Sequence, residues 1–370
     1  MELKVNSKEL DVCLNHLRKI IPNKNSIPAL KNFLFKVSND HMSISGADNE
    51  VLLEIQLSCQ SDMEMSFMVP AIHFLPLVCG LSDQELRLEI NDQCISVYHE
   101  NGHFLIPYEK DTALFPAPHV KSDNVVINTM PIECFSRSHA LLRPFIEKPD
   151  ELVNPIFSSV YFEFSNEGLC VVGTNGKCLA LREIPLENTH PTNFMLSAKA
   201  VALFEILSDL TADTVLKITS DDNFVFIETE TVKLSVLKAS GKFPNFRSVI
   251  PNSYSYRADV DRRSLSKFLK RVESICGKHV IATHFSEKGL KLTAEDLDVG
   301  IHSEDTLDCD YEGNDFTIGL NNVMFNNAVK VLSSDKIRLD MVSLDMPVKI
   351  CPVNEDKSFK DLVIVSPMVF

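Results

Sequence analysis

The sequence lacks the features of a membrane-spanning or disordered chain. No stretch approaches the roughly 20 consecutive apolar residues that a membrane span needs, and the N-terminal Met1-Glu2-Leu3-Lys4 is not a basic region followed by an apolar run. Low-complexity tracts are also missing. Because 45% of the residues are hydrophobic and 24% are charged, the composition predicts a soluble globular protein, which we expect to be cytoplasmic.

Paired cysteines are missing as well. The ten cysteines include no Cys-x-x-Cys pair, and most of them stand among apolar neighbours. Buried thiols in a reducing compartment are the favoured interpretation, and a metal or redox site is the alternative. We predict no metal site and no cofactor.

Positive charge is scarce. The chain has 36 Lys and Arg against 51 Asp and Glu, for a formal net charge of −15. Taken alone, this balance argues against nucleic acid as a partner, because phosphate binding needs clustered cations. The distribution of the cations matters more than their total.

Signatures of catalysis are also missing. Gly173-Thr174-Asn175-Gly176-Lys177 has too few residues between its glycines for a phosphate-binding loop, and Cys178 follows where Ser or Thr is needed. Asn-Gly between alternating apolar runs predicts a tight turn instead. Gly-x-Ser-x-Gly is absent and no carboxylate pair stands out, so we predict no catalytic residue. A three-domain enzyme with a site in an interdomain cleft, acting on a basic ligand, remains an alternative.

What the sequence does contain is an internal repeat. Three segments share a short strand, a small or turn-forming residue and an apolar-periodic helix, beginning at Phe67, Phe194 and Phe316 with separations of 127 and 122 residues. A second strand motif recurs at positions 38, 165 and 286, separated by 127 and 121 residues. Two independent segments therefore keep one register, which predicts three copies of one α+β unit. Coincidence between ordinary segments is the alternative.

An amphipathic helix opens each predicted unit, over Ser7–Ile21, Pro131–Ile146 and Arg262–Cys276. Alternating strands of antiparallel sheets follow each helix. Proline-rich punctuation near residues 116–119 and 251–253 then sets the domains at 1–122, 123–252 and 253–370.

The cations concentrate on these helices and on segments next to them. On Arg262–Cys276 they lie opposite an apolar stripe, which makes one face of the helix basic. A solvated face is the ordinary interpretation of one such helix, but three equivalent helices favour attraction of DNA phosphates without reading of bases. The residues predicted to face DNA are Arg18, Lys19, Lys24, Arg137, Arg143, Lys148, Lys199, Arg263, Lys267, Lys270 and Arg271.

The sequence resembles the family of bacterial DNA polymerase III beta subunits, the replicative sliding clamps, over nearly its whole length. The most specific segments are Ile27-Pro28-Ala29-Leu30-Lys31-Asn32, Gly173-Thr174-Asn175-Gly176-Lys177-Cys178-Leu179-Ala180, Gly241-Lys242-Phe243-Pro244-Asn245-Phe246-Arg247 and Val365-Ser366-Pro367-Met368. The resemblance implies three similar clamp domains, each with antiparallel sheets outside and two helices inside, in a head-to-tail homodimer that closes as a ring around duplex DNA. It implies a non-catalytic processivity factor that an ATP-driven clamp loader places on DNA.

The resemblance also implies an apolar cleft that takes short peptide motifs from the polymerase catalytic subunit, the clamp loader and repair proteins. The positions that match this cleft are Phe157, Thr174, Gly176, Lys177, Leu179, Pro244, Val249, Asn321, Met324, Ile364, Val365, Pro367 and Met368. From the sequence alone, Leu179, Val249 and Val365 are interpreted as ordinary core. Five residues depart from the usual clamp pattern, where His, Arg, Arg, Tyr and Met are common: Lys177, Cys178, Ser248, Met324 and Ser366.

The resemblance assigns two further surfaces. Lys24 matches a basic loop position that touches the duplex in relatives. Phe104 and Ile106 on one domain edge, and Val272 with Ile275 on another, match dimer contacts. A clamp-like scaffold that binds peptides but has lost DNA binding remains a further alternative.

Overall fold

The computed structural model describes residues 2–22, 27–62, 64–148, 154–210, 214–273, 280–296, 300–353 and 358–369. Within these ranges the fold is α+β, with antiparallel strand pairs throughout, as the sequence predicts. None of the helices in this part of the chain is long and apolar enough to cross a membrane. The helices are α1 (Ser7–Arg18), α2 (Ala71–Val78), α3 (Glu133–Leu142), α4 (Ala198–Ala202), α5 (Phe204–Leu210), α6 (Arg262–Val272) and α7 (Asn322–Val331).

The chain divides into two compact units. Unit 1 comprises Met1–Phe135 and Lys199–Lys238, and unit 2 comprises Ser136–Ala198 and Ala239–Phe370. The central third of the sequence therefore contributes strands to both units. The three domains at 1–122, 123–252 and 253–370 stay a prediction.

Unit 1 contains two sheets. The five-stranded sheet A has the strand order β5 (Gln60–Ser61), β1 (Glu2–Asn6), β7 (Glu85–Ile90), β8 (Cys94–His99) and β9 (Gly102–Pro107). The eight-stranded sheet B has the order β10 (Val126–Pro131), β15 (Val215–Ser220), β16 (Phe224–Glu228), β17 (Val232–Leu237), β4 (Val51–Ser58), β3 (His41–Ala47), β2 (Asn32–Val37) and β6 (Met65–Pro70).

Unit 2 also contains two sheets. The nine-stranded sheet C has the order β14 (Thr192–Ser197), β11 (Ser159–Ser165), β12 (Gly168–Thr174), β13 (Cys178–Pro185), β26 (Lys360–Val365), β25 (Val348–Pro352), β24 (Lys336–Met341), β18 (Tyr256–Asp261) and β22 (Cys309–Glu312). The five-stranded sheet D has the order β21 (Ile301–Leu307), β20 (Gly289–Asp296), β19 (Val280–Ser286), β23 (Phe316–Asn321) and β27 (Pro367–Met368).

The long helices begin where a strand delivers a capping side chain. Asn6 ends β1 and its side-chain oxygen accepts hydrogen bonds from the backbone N–H groups of Lys8 and Glu9. Asp261 and Asn321 end their strands in the same way and cap α6 and α7. Each cap satisfies backbone donors that the helix itself cannot pair. The predicted alternation of helices and strands is confirmed, but a strand (β1, β10 or β18) precedes each helix that was predicted to open a unit.

The helix α6 shows how the sequence pattern becomes packing. Its apolar stripe, Leu265, Phe268, Leu269 and Val272, is at most 1% exposed, and burial of each such side chain contributes about 1.5 to 3 kcal/mol. The side-chain amide of Asn322 donates to the backbone oxygen of Leu269 at 3.2 Å and so ties α7 to α6.

The helices end earlier than the periodicity predicts. The first helix ends at Arg18 rather than Ile21, because the Arg18 guanidinium donates to the Ile21 carbonyl at 2.8 Å and closes the terminus. The α-helical part of the second ends at Leu142 and continues as a 3-10 turn that contains Pro144. The third reaches Val272, and the predicted end at Cys276 lies outside the described residues.

The cysteine prediction holds in part. Cys13, Cys134, Cys170 and Cys178 are buried, but Cys79 is exposed and four others are half-buried: Cys59, Cys94, Cys309 and Cys351. Burial raises the pKa of the Cys170 and Cys178 thiols to about 12. These two thiols therefore stay protonated at neutral pH and are poor nucleophiles.

Candidate peptide cleft and nucleic-acid interface

The tight turn between β12 and β13 is built by Asn175. Its side-chain oxygen accepts from the backbone N–H groups of Lys177 and Cys178, at 3.1 and 2.8 Å. Gly176 has φ +81°, and a Cβ there would stand 3.2 Å from the Phe157 ring. The predicted turn is confirmed, and it places Phe157 against Gly176 while the side chain of Lys177 points to solvent.

The predicted cleft residues of β13 and β26 lie side by side. Leu179 pairs with Ile364, and Cys178 pairs with Val365. The Thr174 hydroxyl donates to the Cys178 carbonyl at 2.6 Å and closes the adjoining end of the ladder. Thr174, Leu179, Ile364 and Val365 are all buried in the chain. Leu179 and Ile364 share one face of the sheet and form a floor, whereas the next residue, Val365, points to the opposite face.

A covering segment, residues 239–250, lies over this floor. Phe243 and Phe246 are buried in one apolar cluster with Leu179 and Ile364, and the Phe243 ring stacks on Tyr161 at 4.8 Å. Pro244 in the same segment is exposed, as is Val249 with 43% of its surface accessible. Val249 is therefore not core, unlike Leu179 and Val365, and forms an apolar rim.

The remaining predicted cleft residues meet at the start of α7. The Asn321 side chain caps the helix by accepting from the Met324 backbone N–H at 3.0 Å. Pro367 pairs with Leu320 in sheet D, and the Ser366 N–H donates to the Lys177 carbonyl at 3.1 Å. Asn321, Met324 and Pro367 are half-buried and Met368 is exposed. All the predicted cleft residues thus belong to unit 2.

A buried ion pair that the sequence patterns do not reveal holds the two floor strands together. Arg182 on β13 donates from Nε and Nη2 to the two carboxylate oxygens of Asp361 on β26, at 2.7 and 2.6 Å. The pair is packed on the Phe359 ring, which lies 4.7 Å from the Arg182 guanidinium. Because 179 residues separate the partners, no local spacing signals their contact.

The basic face predicted for α6 is present but partly compensated. Arg263, Lys267, Lys270 and Arg271 are all exposed, opposite the buried stripe. Arg271 pairs with Asp305, and Arg263 lies 3.6 Å from Asp335. No ion pair involving Lys267 or Lys270 occurs within the described part of the chain, so these two lysines are the strongest phosphate contacts α6 can offer.

The other predicted DNA-facing residues are distributed over further elements. Lys19, Arg137, Arg143, Lys148 and Lys199 are exposed. Lys199 forms an ion pair with Asp48, which compensates its positive charge. The Arg137 guanidinium lies over the Phe359 ring at 5.3 Å. Arg18 is half-buried and occupied with closing α1. Lys24 lies outside the described residues.

The predicted dimer contacts divide sharply in exposure. Phe104 is half-buried on β9, the edge strand of sheet A, but Ile106 is 1% exposed and Val272 is 0% exposed. Strand alternation turns Leu105 outward instead, with 60% of its surface accessible. Ile275 lies outside the described residues.

One segment of the sequence has the spacing of a zinc-binding motif. His99-Glu100-Asn101-Gly102-His103 has the His-Glu-x-x-His spacing that binds zinc when it lies on a helix. Here His99 ends β8 and His103 stands on β9, across a hairpin turn, so the two imidazoles do not share a helical face. Among the described residues no group of three His, Cys, Asp or Glu side chains could hold a metal.

Two family models match the sequence. Residues 1–111 match the N-terminal domain of the DNA polymerase III beta subunit, and residues 247–366 match its C-terminal domain. Among curated proteins, the beta sliding clamp of Chlamydia muridarum is 23% identical and the match covers 100% of this chain and 99% of the relative. The beta sliding clamp of Staphylococcus epidermidis is 21% identical, with 93% of each chain covered.

Solved structures show the same fold. The DNA polymerase III beta subunit of Thermotoga maritima superposes with a TM-score of 0.91 at 22% identity, over 100% of this chain and 99% of that one. The DNA polymerase III beta subunit of Pseudomonas aeruginosa superposes with a TM-score of 0.92 at 18% identity, over 100% of both chains. A sliding clamp from the same organism has been solved bound to griselimycin, at 18% identity and a TM-score of 0.91 over 100% of both chains.

Proposed function

The chain belongs to the family of DNA polymerase III beta subunits, and we propose that it is a replicative sliding clamp: a non-catalytic processivity factor that closes as a ring on duplex DNA. The ring holds DNA by topology, so its residence depends on closure rather than on strong contacts. Weak, salt-sensitive attraction to phosphates then allows the ring to slide. The observation that carries the proposal is the match of both terminal domain models, joined to a fold superposable over the whole chain.

The partners beyond DNA follow from this proposal. Tethering the polymerase catalytic subunit raises its effective concentration at the primer end. An ATP-driven clamp loader opens and places the ring, and both partners bind through short peptides. Because the DNA that the ring encircles is chromosomal, we place the protein in the cytoplasm.

We assign the ring interface to two edge strands in a head-to-tail homodimer. On unit 1, the edge strand β9 presents Leu105, and α2 beside it exposes Ile72 and Leu77, at 67% and 39% of their surfaces. On unit 2, the edge strand β21 is tied to α6 by the pair of Arg271 and Asp305. An unpaired strand edge with exposed apolar side chains is a site where another strand can add.

The ring interface is tested by sedimentation. We expect the full-length protein to sediment as a dimer of about 83 kDa, twice the chain mass of 41.6 kDa. Leu105→Glu puts a charge on the β9 edge and should give a folded monomer with an unchanged circular dichroism spectrum. The matched control Leu114→Glu alters a residue that is 72% exposed outside the edge strand, and it should remain a dimer. A dimeric Leu105→Glu protein would remove β9 from the interface.

The DNA-facing surface is tested by charge reversal. Lys267→Glu with Lys270→Glu should reduce the amount of protein loaded on circular DNA, since the change repels phosphates, while the protein stays dimeric. Lys217→Glu with Lys288→Glu makes the same change in net charge at exposed lysines outside the helices and outside the covering segment. Equal loss in both variants would show a general charge effect and would contradict the assignment to α6.

The peptide cleft is assigned to the floor and rim of unit 2. Leu179 and Ile364 supply the floor, and Val249, Pro244 and Met368 supply apolar rim contacts. The unusual Lys177 and Ser248 remove guanidinium or imidazole groups common in clamps, so we expect the polar part of a partner peptide to be held more weakly here. Val249→Glu should abolish binding of a client peptide without affecting the dimer, and unchanged binding would contradict this assignment.

A further inference from the structure

Sheets B and C are built alike, although they belong to different units. From β6, the strand order of sheet B is β6, β2, β3, β4, β17, β16, β15 and β10. From β14, the strand order of sheet C is β14, β11, β12, β13, β26, β25, β24 and β18, so the strands of the two sheets correspond one by one. Ala47 pairs with Leu52 in sheet B, and Thr174 pairs with Leu179 in sheet C. Both residues of the pair in sheet C stand 127 positions after the corresponding residues in sheet B. Leu52 is therefore the equivalent of Leu179.

The next strand continues the equivalence. Leu52 faces Ser235 on β17, and Leu179 faces Ile364 on β26. One step further along the same face, Glu54 faces Lys233 in sheet B, whereas Leu181 faces Leu362 in sheet C. Sheet B therefore has a hydroxyl and a charged pair where sheet C has apolar side chains beneath the peptide cleft.

Both places are covered by a linker with the same Phe-Pro pair. Phe243-Pro244 belongs to the covering segment of unit 2, and Phe115-Pro116 belongs to the segment that follows sheet A in unit 1. Phe115 is buried in one apolar cluster with Leu52, as Phe243 is with Leu179. After this pair the segments differ, because Phe246 stands three residues after Phe243, whereas Pro118 stands three residues after Phe115.

The result is a cavity of about 280 Å³ in unit 1, which we call the linker pocket; it is lined by Leu52, Glu54, His119, Lys121, Phe226 and Ser235 among others. Ser235 is 6% exposed, and its hydroxyl oxygen is buried without a hydrogen-bond partner in the described part of the chain. A buried hydroxyl left unpaired is costly, which points to a ligand or water that satisfies it.

The charges around the pocket favour an anion. Glu54 lies 3.4 Å from the ammonium of Lys233 and 4.0 Å from that of Lys36, so one carboxylate is shared by two cations. Glu228 is occupied by Lys121 at 2.6 Å. The lining therefore has three lysines against two glutamates, and a lysine ammonium and the Ser235 hydroxyl can both donate to a carboxylate.

The linker of unit 1, which runs from Phe115 to Ser122, lies over the pocket and contacts sheet B at two points. The His119 ring stacks on Phe224 at 3.9 Å, and the Ser122 N–H donates to Asp221 at 3.1 Å. Between these two points, the Lys121 side chain spans the opening to Glu228 and lies 5.4 Å from the Phe226 ring.

We propose that the linker pocket is a second peptide site of this clamp, selective for a short segment that carries a carboxylate side chain. The carboxylate accepts from Ser235 and from Lys233, and the peptide backbone runs under the linker as client peptides run beside the covering segment of unit 2. The assignment of a peptide, rather than a free anion, rests on the proposed function of the equivalent place in unit 2.

Fluorescence anisotropy with a labelled pentapeptide, Gly-Ser-Glu-Asp-Ser, tests the proposal on the full-length protein. We expect saturable binding that Lys233→Glu and Ser235→Ile each weaken about tenfold, the size of one lost hydrogen bond to a charged group. Ser235→Ile installs the residue found at the equivalent position of unit 2. Ser235→Ala removes the hydroxyl without adding bulk and should also weaken binding of the peptide. This variant therefore tests the hydroxyl even if the larger isoleucine side chain impairs folding. The Gly-Ser-Gln-Asn-Ser peptide should bind at least tenfold more weakly.

The controls separate this proposal from the proposed function. Lys110→Glu reverses a charge outside the pocket in unit 1 and should leave binding unchanged. Val249→Glu should abolish client-peptide binding in unit 2 yet leave the acidic peptide bound, so each site can fail on its own. The proposal is overturned if the acidic peptide does not bind, if Val249→Glu removes its binding, or if Lys233→Glu has no effect. Equally tight binding of N-acetylglutamate would overturn the assignment to a peptide.

Discussion

The ion pair of Arg182 and Asp361 makes the sharpest stability prediction. Both residues are 7% exposed, and two hydrogen bonds of 2.7 and 2.6 Å join them across β13 and β26. Arg182→Met would leave the Asp361 carboxylate buried without its cation. Removal of one partner from a buried pair costs about 3 to 5 kcal/mol, because the remaining charge keeps its desolvation penalty and loses its attraction.

That cost should be visible as a thermal shift. At about 2 to 4 °C per kcal/mol for a unit of this size, Arg182→Met should lower the Tm by roughly 6 to 20 °C. The double variant Arg182→Met with Asp361→Leu removes both charges and should recover most of this loss, since replacement of a whole buried pair by apolar groups is often neutral. Differential scanning calorimetry of the three proteins makes the comparison.

The outcome bears on the cleft as well as on stability. β13 and β26 carry Leu179 and Ile364, so Arg182→Met should also weaken client-peptide binding. The reasoning is refuted if Arg182→Met melts within about 2 °C of the parent protein, or if the double variant is as unstable as the single one.

Three further predictions concern other parts of the molecule. Gly176→Ala should destabilise unit 2 by about 1 to 3 kcal/mol in urea unfolding, because the position has φ +81° and the new methyl would stand 3.2 Å from Phe157; Gly80→Ala, with no atom within 4 Å of the new methyl, is the control for backbone strain alone. Iodoacetamide should modify exposed Cys79 in the native protein, but Cys170 only after unfolding, because burial raises its pKa to about 12; native labelling of Cys170 would contradict its burial. Burial raises the pKa of Asp221, but hydrogen bonds from backbone N–H groups outweigh that effect and leave it lowered, so its stabilisation is present at neutral pH and lost as the pH falls through the lowered pKa; Asp221→Asn should therefore show a smaller loss of urea resistance between pH 7 and pH 3, and an equal loss would contradict this role.

The repeat was predictable because its signals are local. Alternating strands and helical stripes are written in neighbouring residues, and the shift of 127 residues between equivalent pairs, such as Ala47 with Leu52 and Thr174 with Leu179, appears both in the sequence and in the strand register. The turn at Asn175 and Gly176 was predictable for the same reason. Each of these features depends on backbone conformations that a few adjacent residues determine.

What escaped prediction depends on contacts between distant residues. The ion pair of Arg182 and Asp361 joins positions 179 residues apart, and the exposure of Val249 depends on how the covering segment lies on sheet C. The outward residue on β9 is Leu105 rather than Ile106, because a one-residue change of register exchanges the two faces of a strand. The division of the central third between two units has no local signal either.

Topological retention on DNA tests the central claim most directly. The protein is loaded on nicked circular duplex DNA with a clamp loader and ATP, separated from free protein by gel filtration, and then treated with a restriction enzyme that cuts the circle once. A ring should stay with the circle in moderate salt and leave the DNA once its ends are free. Retention that is unchanged by linearisation would contradict a ring that encircles DNA.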